Sequence, residues 1–200
     1  MNLVTAYTEM IKSDPTFLFA YEVMKRNSSG KIWLIGGALW RNMSHIINGG
    51  EKQDYDFDFL VEKPATDFHL PENWRVRPNK YGNPKFLGPT VDGSEIEVDC
   101  VPFHNVNSII RRGLEASVEN FLTGTPLTIQ SMIYDVQEGT VTGPGGIHAL
   151  QAKLMAVNDY EQAEIYASKK GISVAELVQK FAKSAGFMPI IPAERTANPR

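Results

Sequence analysis

The stretch KIWLIGGALWRN (Lys31–Asn42), read together with DYDFDFLV (Asp54–Val61), decides the fold. KIWLI is an apolar run of strand length that stops at Gly36-Gly37. A helix through about Ile47 follows, and Asn48-Gly49-Gly50 is a turn. In DYDFDFLV acid and aromatic residues alternate, which is the period of a strand. Alternate residues share a face, so Asp54, Asp56 and Asp58 line up about 6–7 Å apart. Tyr55, Phe57 and Phe59 bury the opposite face. Leu60 and Val61 are then apolar on both faces, so the acids sit where a central strand reaches an opening.

A second acid-bearing strand lies downstream, with Glu95, Glu97 and Asp99 alternating through EIEVDCV (Glu95–Val101). Alone, a run of alternating acids reads as a solvated edge strand. Two such strands side by side form a binding face for hard divalent cations, because Mg²⁺ prefers carboxylate oxygen and keeps several waters. A pair of such ions can activate an attacking oxygen and stabilise a leaving phosphate. Gly36-Gly37 adds a second element. A strand that ends in two glycines and opens into a helix lets backbone N–H groups approach an anion. A phosphate cradle beside a metal face is what a nucleoside triphosphate requires.

The rest of the chain supplies a frame. Residues 2–12 suit a helix, and Asp14-Pro15 starts a second, with Asp14 as its cap. Short strands are expected at 74–77 and 84–87, and a helix at 114–122. Leu127–Tyr134 is ambiguous between strand and helix, and Gly143-Pro144-Gly145-Gly146 reads as a hard turn. Helices are expected near 159–169 and 174–185, the latter opened by a Ser173/Glu176 capping box. The tail from Pro189 is expected to fray. The pattern predicts an α+β domain with a small mixed sheet, over 1–157, and a short helical extension over 158–200.

Composition narrows the classes. The chain has 200 residues, 42% hydrophobic and 22% charged, which suits one folded domain with at most a small appendage. A net charge of −3 excludes a broadly basic nucleic-acid binder. The single cysteine, Cys100, excludes an internal disulfide and CxxC chemistry and reads as a small buried residue. No apolar run reaches the roughly 18–20 residues of a membrane span. The N-terminus lacks a signal pattern, so a cytoplasmic, non-membrane location is expected. His45, His69, His104 and His148 have no metal-ligand spacing. Arg111-Arg112 reads as a solvated basic pair or a phosphate contact. Arg75, Arg77, Lys80 and Lys85, interleaved with Trp74 and Tyr81, read as an exposed hairpin or a nucleic-acid contact.

IWLIGGALWRN followed by DYDFDFLVE resembles the head domain of the polymerase-β-type nucleotidyltransferases, in particular poly(A) polymerases and CCA-adding tRNA nucleotidyltransferases. A second block, TIQSMIYD (Thr128–Asp135) with Gly139, the 143–146 glycines, Ala149-Leu150 and Lys153-Leu154, is similar to another conserved block of that family. KFAKSAGF (Lys180–Phe187) resembles the segment that opens its neck. The resemblance covers about residues 30–187.

It implies transfer of a nucleoside monophosphate from a nucleoside triphosphate to an acceptor hydroxyl by a two-metal mechanism, with Mg²⁺ or Mn²⁺. The acceptor would be an RNA 3′ end such as tRNA, with a protein partner supplying further RNA binding. The family's Asp-x-Asp is Asp54/Asp56 or Asp56/Asp58, and is assigned to Asp56 and Asp58. Glu97 takes the third carboxylate role, with Asp99 one step along the same face. Gly36 and Gly37 would cradle phosphates, helped by Arg41. Two departures stand out. Gly124-Thr125-Pro126 replaces an Arg-Arg-Asp that contributes to nucleotide binding. KGISV (Lys170–Val174) stands where the family carries its base-reading residues. A non-catalytic nucleotide- or RNA-binding relative, or a small transferase acting on a protein hydroxyl, is therefore the alternative.

Overall fold

The structure is a computed structural model and describes residues 2–49, 56–90 and 92–192. Asp54, Tyr55 and the last eight residues lie outside the described residues. The chain opens with α1 (Leu3–Lys12) and α2 (Pro15–Arg26), then β1 (Ser28–Ile35), α3 (Gly36–Asn48) and β2 (Phe57–Pro64). The hairpin β3 (Arg75–Pro78) and β4 (Pro84–Pro89) leads to β5 (Glu95–Pro102). Two short helices, α4 (Asn107–Arg111) and α5 (Val118–Thr123), precede β6 (Ile133–Asp135) and β7 (Thr140–Thr142). The chain continues through α6 (Pro144–Ala152), β8 (Leu154–Met155), α7 (Tyr160–Ser168), α8 (Val174–Ala185) and β9 (Met188–Pro189). This is the mixed α+β class.

The main sheet has seven strands in the order β3-β4-β5-β2-β1-β6-β7. β2 pairs with β5 in parallel, and its other neighbour β1 is antiparallel. Period-2 alternation divides β1 and β2 between two cores. Ile32, Leu34, Phe57, Phe59 and Val61 enter the larger core, formed with α1–α3 and α6–α8. Trp33, Ile35 and Leu60 enter a smaller one on the opposite face, closed by Phe103, Ile109 and Phe121. Asp58 shares the face of Leu60, so the small core covers that face up to the strand ends and leaves the acids open beyond it. α7 and α8 contribute Ala163, Ala167, Leu177 and Val178 to the larger core.

Local chemistry sets the helix starts. Asp14 accepts the Thr16 and Phe17 N–H groups ahead of Pro15. Ser173 and Glu176 form a reciprocal capping box, with Ser173 N–H donating to Glu176 Oε2 at 2.7 Å. Ser173→Ala is expected to cost about 1 kcal/mol. A urea midpoint unchanged from wild type would remove the cap's role.

Two expectations need correction, and one left open is resolved. The segment 143–146 is a helix start rather than a turn: Pro144 takes the first helical position of α6, where no N–H is needed. Gly146 is required there because a side chain would strike Met132 and the Ser131 carbonyl. The helix expected at 114–122 begins only at Val118, where Ser117 caps it. Leu127–Tyr134 is both a short 3₁₀ turn at Thr128–Gln130 and the start of a strand. Near the tail, Met188-Pro189 pairs as β9 with β8.

Candidate active site

The acids meet at the centre of the sheet. In the parallel β2–β5 ladder Asp58 lies opposite Asp99, and across β1–β2 it lies opposite Ile35. Asp56 stands just ahead of β2, two residues from Asp58. Glu97 precedes Asp99 by two on β5, so both point to the Asp58 face. Gly36 follows Ile35 directly, with φ +70°. A Cβ there would collide with the Asp58 carboxylate, so glycine is needed for backbone and for space alike. Arg41 lies one turn into α3, its guanidinium carbon 3.5 Å from where a Cβ on Gly37 would sit.

Charges surround the acids unevenly. Lys85 of β4 is the cross-strand partner of Asp99. Its Nζ lies 3.1 Å from Asp99 Oδ2 and is also bonded to Glu97 Oε2. Arg77 of β3 reaches the other Glu97 oxygen at 2.9 Å, and Asn79 Nδ2 donates to Asp99 Oδ1 at 2.7 Å. Both oxygens of Glu97 and both of Asp99 thus have protein partners. No described residue donates a hydrogen bond to the side chain of Asp56 or Asp58.

Titration behaviour follows that division. Burial, then the neighbouring Asp99 and Asp56, push the Asp58 carboxyl up to about 7. Burial and then Glu97 also raise Asp56. The bond from Lys85 holds Glu97 below the usual glutamate value. Burial acts to lower the Lys85 amine, but its bonds to Glu97 and Asp99 outweigh this and leave it raised.

Asp56, Asp58 and Asp99 floor an open cleft of about 830 Å³. Its rim includes Tyr81 of the β3–β4 hairpin, Thr125 of the loop after α5, and Gln162 and Tyr166 of α7. The Gln162 Oε1 is buried with no hydrogen-bond partner. Gly124-Thr125-Pro126 therefore presents an uncharged wall to the cleft. Gln162 and Tyr166 face it from α7, while Lys170 to Val174 lead from α7 into α8. These two cleft residues were not singled out in the sequence, and only their i, i+4 spacing on a helix marks them as sharing a face.

The arginine pair is not solvated. Arg111 forms ion pairs with Asp159 at 3.6 Å and with Glu161. Arg112 donates to the Ser108 carbonyl at 2.9 Å and to Thr123 Oγ1 at 3.1 Å. Among the described residues, no three acids, histidines or cysteines converge to hold a metal ion as they stand. Asp56 and Asp58 nonetheless fit a hard cation: both are oxygen donors on one face, engaged by no described donor, and Asp58 lies among like charges. Among the described residues no helix is long and apolar enough to cross a membrane.

No protein-family model matches the chain, and no curated protein does. Solved structures match. The Bacillus stearothermophilus CCA-adding enzyme in complex with CTP aligns at a TM-score of 0.56 and 15% identity, over 88% of this chain and 41% of that one. An apo form of a CCA-adding enzyme aligns at 0.58 and 16%, over 94% of this chain and 42% of the other. The chain thus spans less than half the length of these enzymes. At this identity the likeness establishes architecture: the chain has the fold of a nucleotidyltransferase head.

Proposed function

We propose that the chain transfers a nucleoside monophosphate from a nucleoside triphosphate to an acceptor hydroxyl, with an RNA 3′ end such as that of tRNA as acceptor. One observation carries the reading. Asp56 and Asp58 have no partner among the described residues and stand at the floor of an open cleft, against a strand–Gly-Gly–helix turn suited to phosphate. The nucleotide class is supported by the CTP bound to one similar structure, and the acceptor class by the CCA-adding activity that both similar structures are named for.

Asp56 and Asp58 would hold Mg²⁺ or Mn²⁺, which when bound polarises phosphate oxygens. The chain's own residues do the rest. The N–H groups at the start of α3 face the β- and γ-phosphates, and Arg41 adds positive charge at the same end. Glu97 or Asp99, on the strand beside β2, would receive the proton of an acceptor hydroxyl; the register of Asp99 opposite Asp58 favours Asp99. Gln162 and Tyr166 offer an amide and a ring to the base.

The test supplies each of the four α-³²P-labelled nucleoside triphosphates with Mg²⁺ or Mn²⁺ to total RNA and, separately, to total protein. Label in RNA, absent from the Asp56→Ala/Asp58→Ala double variant, is the expected result. Label in protein moves the assignment to a protein hydroxyl. Nucleotide binding without label in either leaves a non-catalytic binding module.

A further inference from the structure

Two cations already sit on the acidic floor. Asp56, Asp58 and Asp99 line it with Lys85 and Arg77, and Glu97 lies two residues along β5 on the same sheet face. Arg41 adds a third positive charge from the α3 side. The acids divide by geometry. Every oxygen of Glu97 and Asp99 is engaged by Lys85, Arg77 or Asn79, with contacts of 2.9 Å from Arg77, 2.7 Å from Asn79 and 3.1 Å from Lys85 to Asp99. The oxygens of Asp56 and Asp58 are engaged by no described residue.

Lys85 is held there by more than its flexible end. Backbone register places it across from Asp99, and its side chain is only 15% exposed. Its strand neighbours Phe86 and Leu87 are buried. Moving the ammonium away would strip one oxygen of each carboxylate of its partner and leave a largely covered ammonium unpaired.

Resting on the nucleotidyl-transfer reading of the same cleft, we propose that the Lys85 ammonium fills one of the two cation positions of a two-ion site. The chain then takes a single divalent ion, on Asp56 and Asp58. This replaces the two-ion expectation for this chain by one ion and one tethered cation.

Mn²⁺ binding, followed by the electron paramagnetic resonance of free Mn²⁺ in the presence of a non-hydrolysable nucleoside triphosphate analogue, counts the ions. The wild-type chain is expected to take about one ion, lost in Asp58→Asn. Lys85→Met, which frees one oxygen of Glu97 and one of Asp99, is expected to take about two, and Lys85→Arg about one. A wild-type count of two overturns the proposal by itself, whether or not Lys85→Met folds. So does a folded Lys85→Met chain that still takes one. Two ions together with active transfer would remove only the role of Lys85. A wild-type chain that takes neither ion nor nucleotide would overturn the transfer reading with it.

Discussion

Asp58→Asn should cut nucleotidyl transfer about a thousandfold and, in metal-free buffer above pH 7, make the protein more stable than wild type. Both effects come from one carboxylate. Burial beside Asp99 and Asp56 lifts its pKa to about 7, whereas in the unfolded chain it titrates near the ordinary 3.8. Between those values the native state binds the proton more tightly than the unfolded chain does. Stability therefore falls as pH rises through that window and stays low above it, by a few kcal/mol in all. Asparagine keeps the shape and removes the charge. The metal-free wild type should melt at progressively lower temperature from pH 5 to pH 8, and the variant should lack that decline. Millimolar Mg²⁺ should restore the wild type at pH 8 and leave the variant unmoved. A wild-type melting temperature indifferent to both pH and Mg²⁺ would sink the assignment of Asp58 as an uncompensated, cation-seeking group.

Gly36→Ala is expected to carry the second-largest effect, because one methyl group offends twice. At φ +70° an L-residue pays roughly 1–2 kcal/mol for the left-handed backbone. The new Cβ also occupies the space of the Asp58 carboxylate, so either the turn or the acid must move. The combined cost should be about 2–4 kcal/mol, read from urea unfolding. Affinity for Mn²⁺ should drop at least about tenfold even in the folded fraction, since the displaced carboxylate is one of the two proposed ligands. Gly37→Ala is the control. Its Cβ would meet only the Arg41 side chain, 3.5 Å away, and φ there is not left-handed. Equal losses in the two variants would show that the Gly36–Asp58 contact does not matter.

Local period carried much of the architecture. Acid-aromatic alternation in Asp54–Val61 placed Phe57 and Phe59 inside and the acids outside, and apolar KIWLI followed by Gly-Gly placed the strand–helix turn. Capping residues located α2 and α8. What period cannot state is which strand lies alongside which, and in what register. By alternation alone Glu97 and Asp99 are equivalent, two residues apart on one face, although the family resemblance favours Glu97. Only the pairing of Asp58 with Asp99 sets them apart, and that pairing depends on a contact across about forty residues of chain. The same blindness hid Lys85 and Arg77, whose alternation suits an exposed hairpin until β5 is laid beside it. Glycine also misled locally: Gly143-Pro144-Gly145-Gly146 has turn chemistry, but close packing on Met132 is what the glycines allow.

Cys100 lies on β5 between Asp99 and Val101, wholly buried against the larger core. Burial, with Asp99 beside it, pushes its thiol up to about 12, so almost no thiolate exists at neutral pH. Alkylating reagents attack the thiolate, and in the native molecule they meet neither the anion nor an approach path. The lone sulfur is thereby a silent label on the strand that carries Glu97 and Asp99. The rate at which a maleimide consumes it reports how often β5 leaves the sheet, and ligands that bridge β2 and β5 can be ranked by how far they slow that reaction.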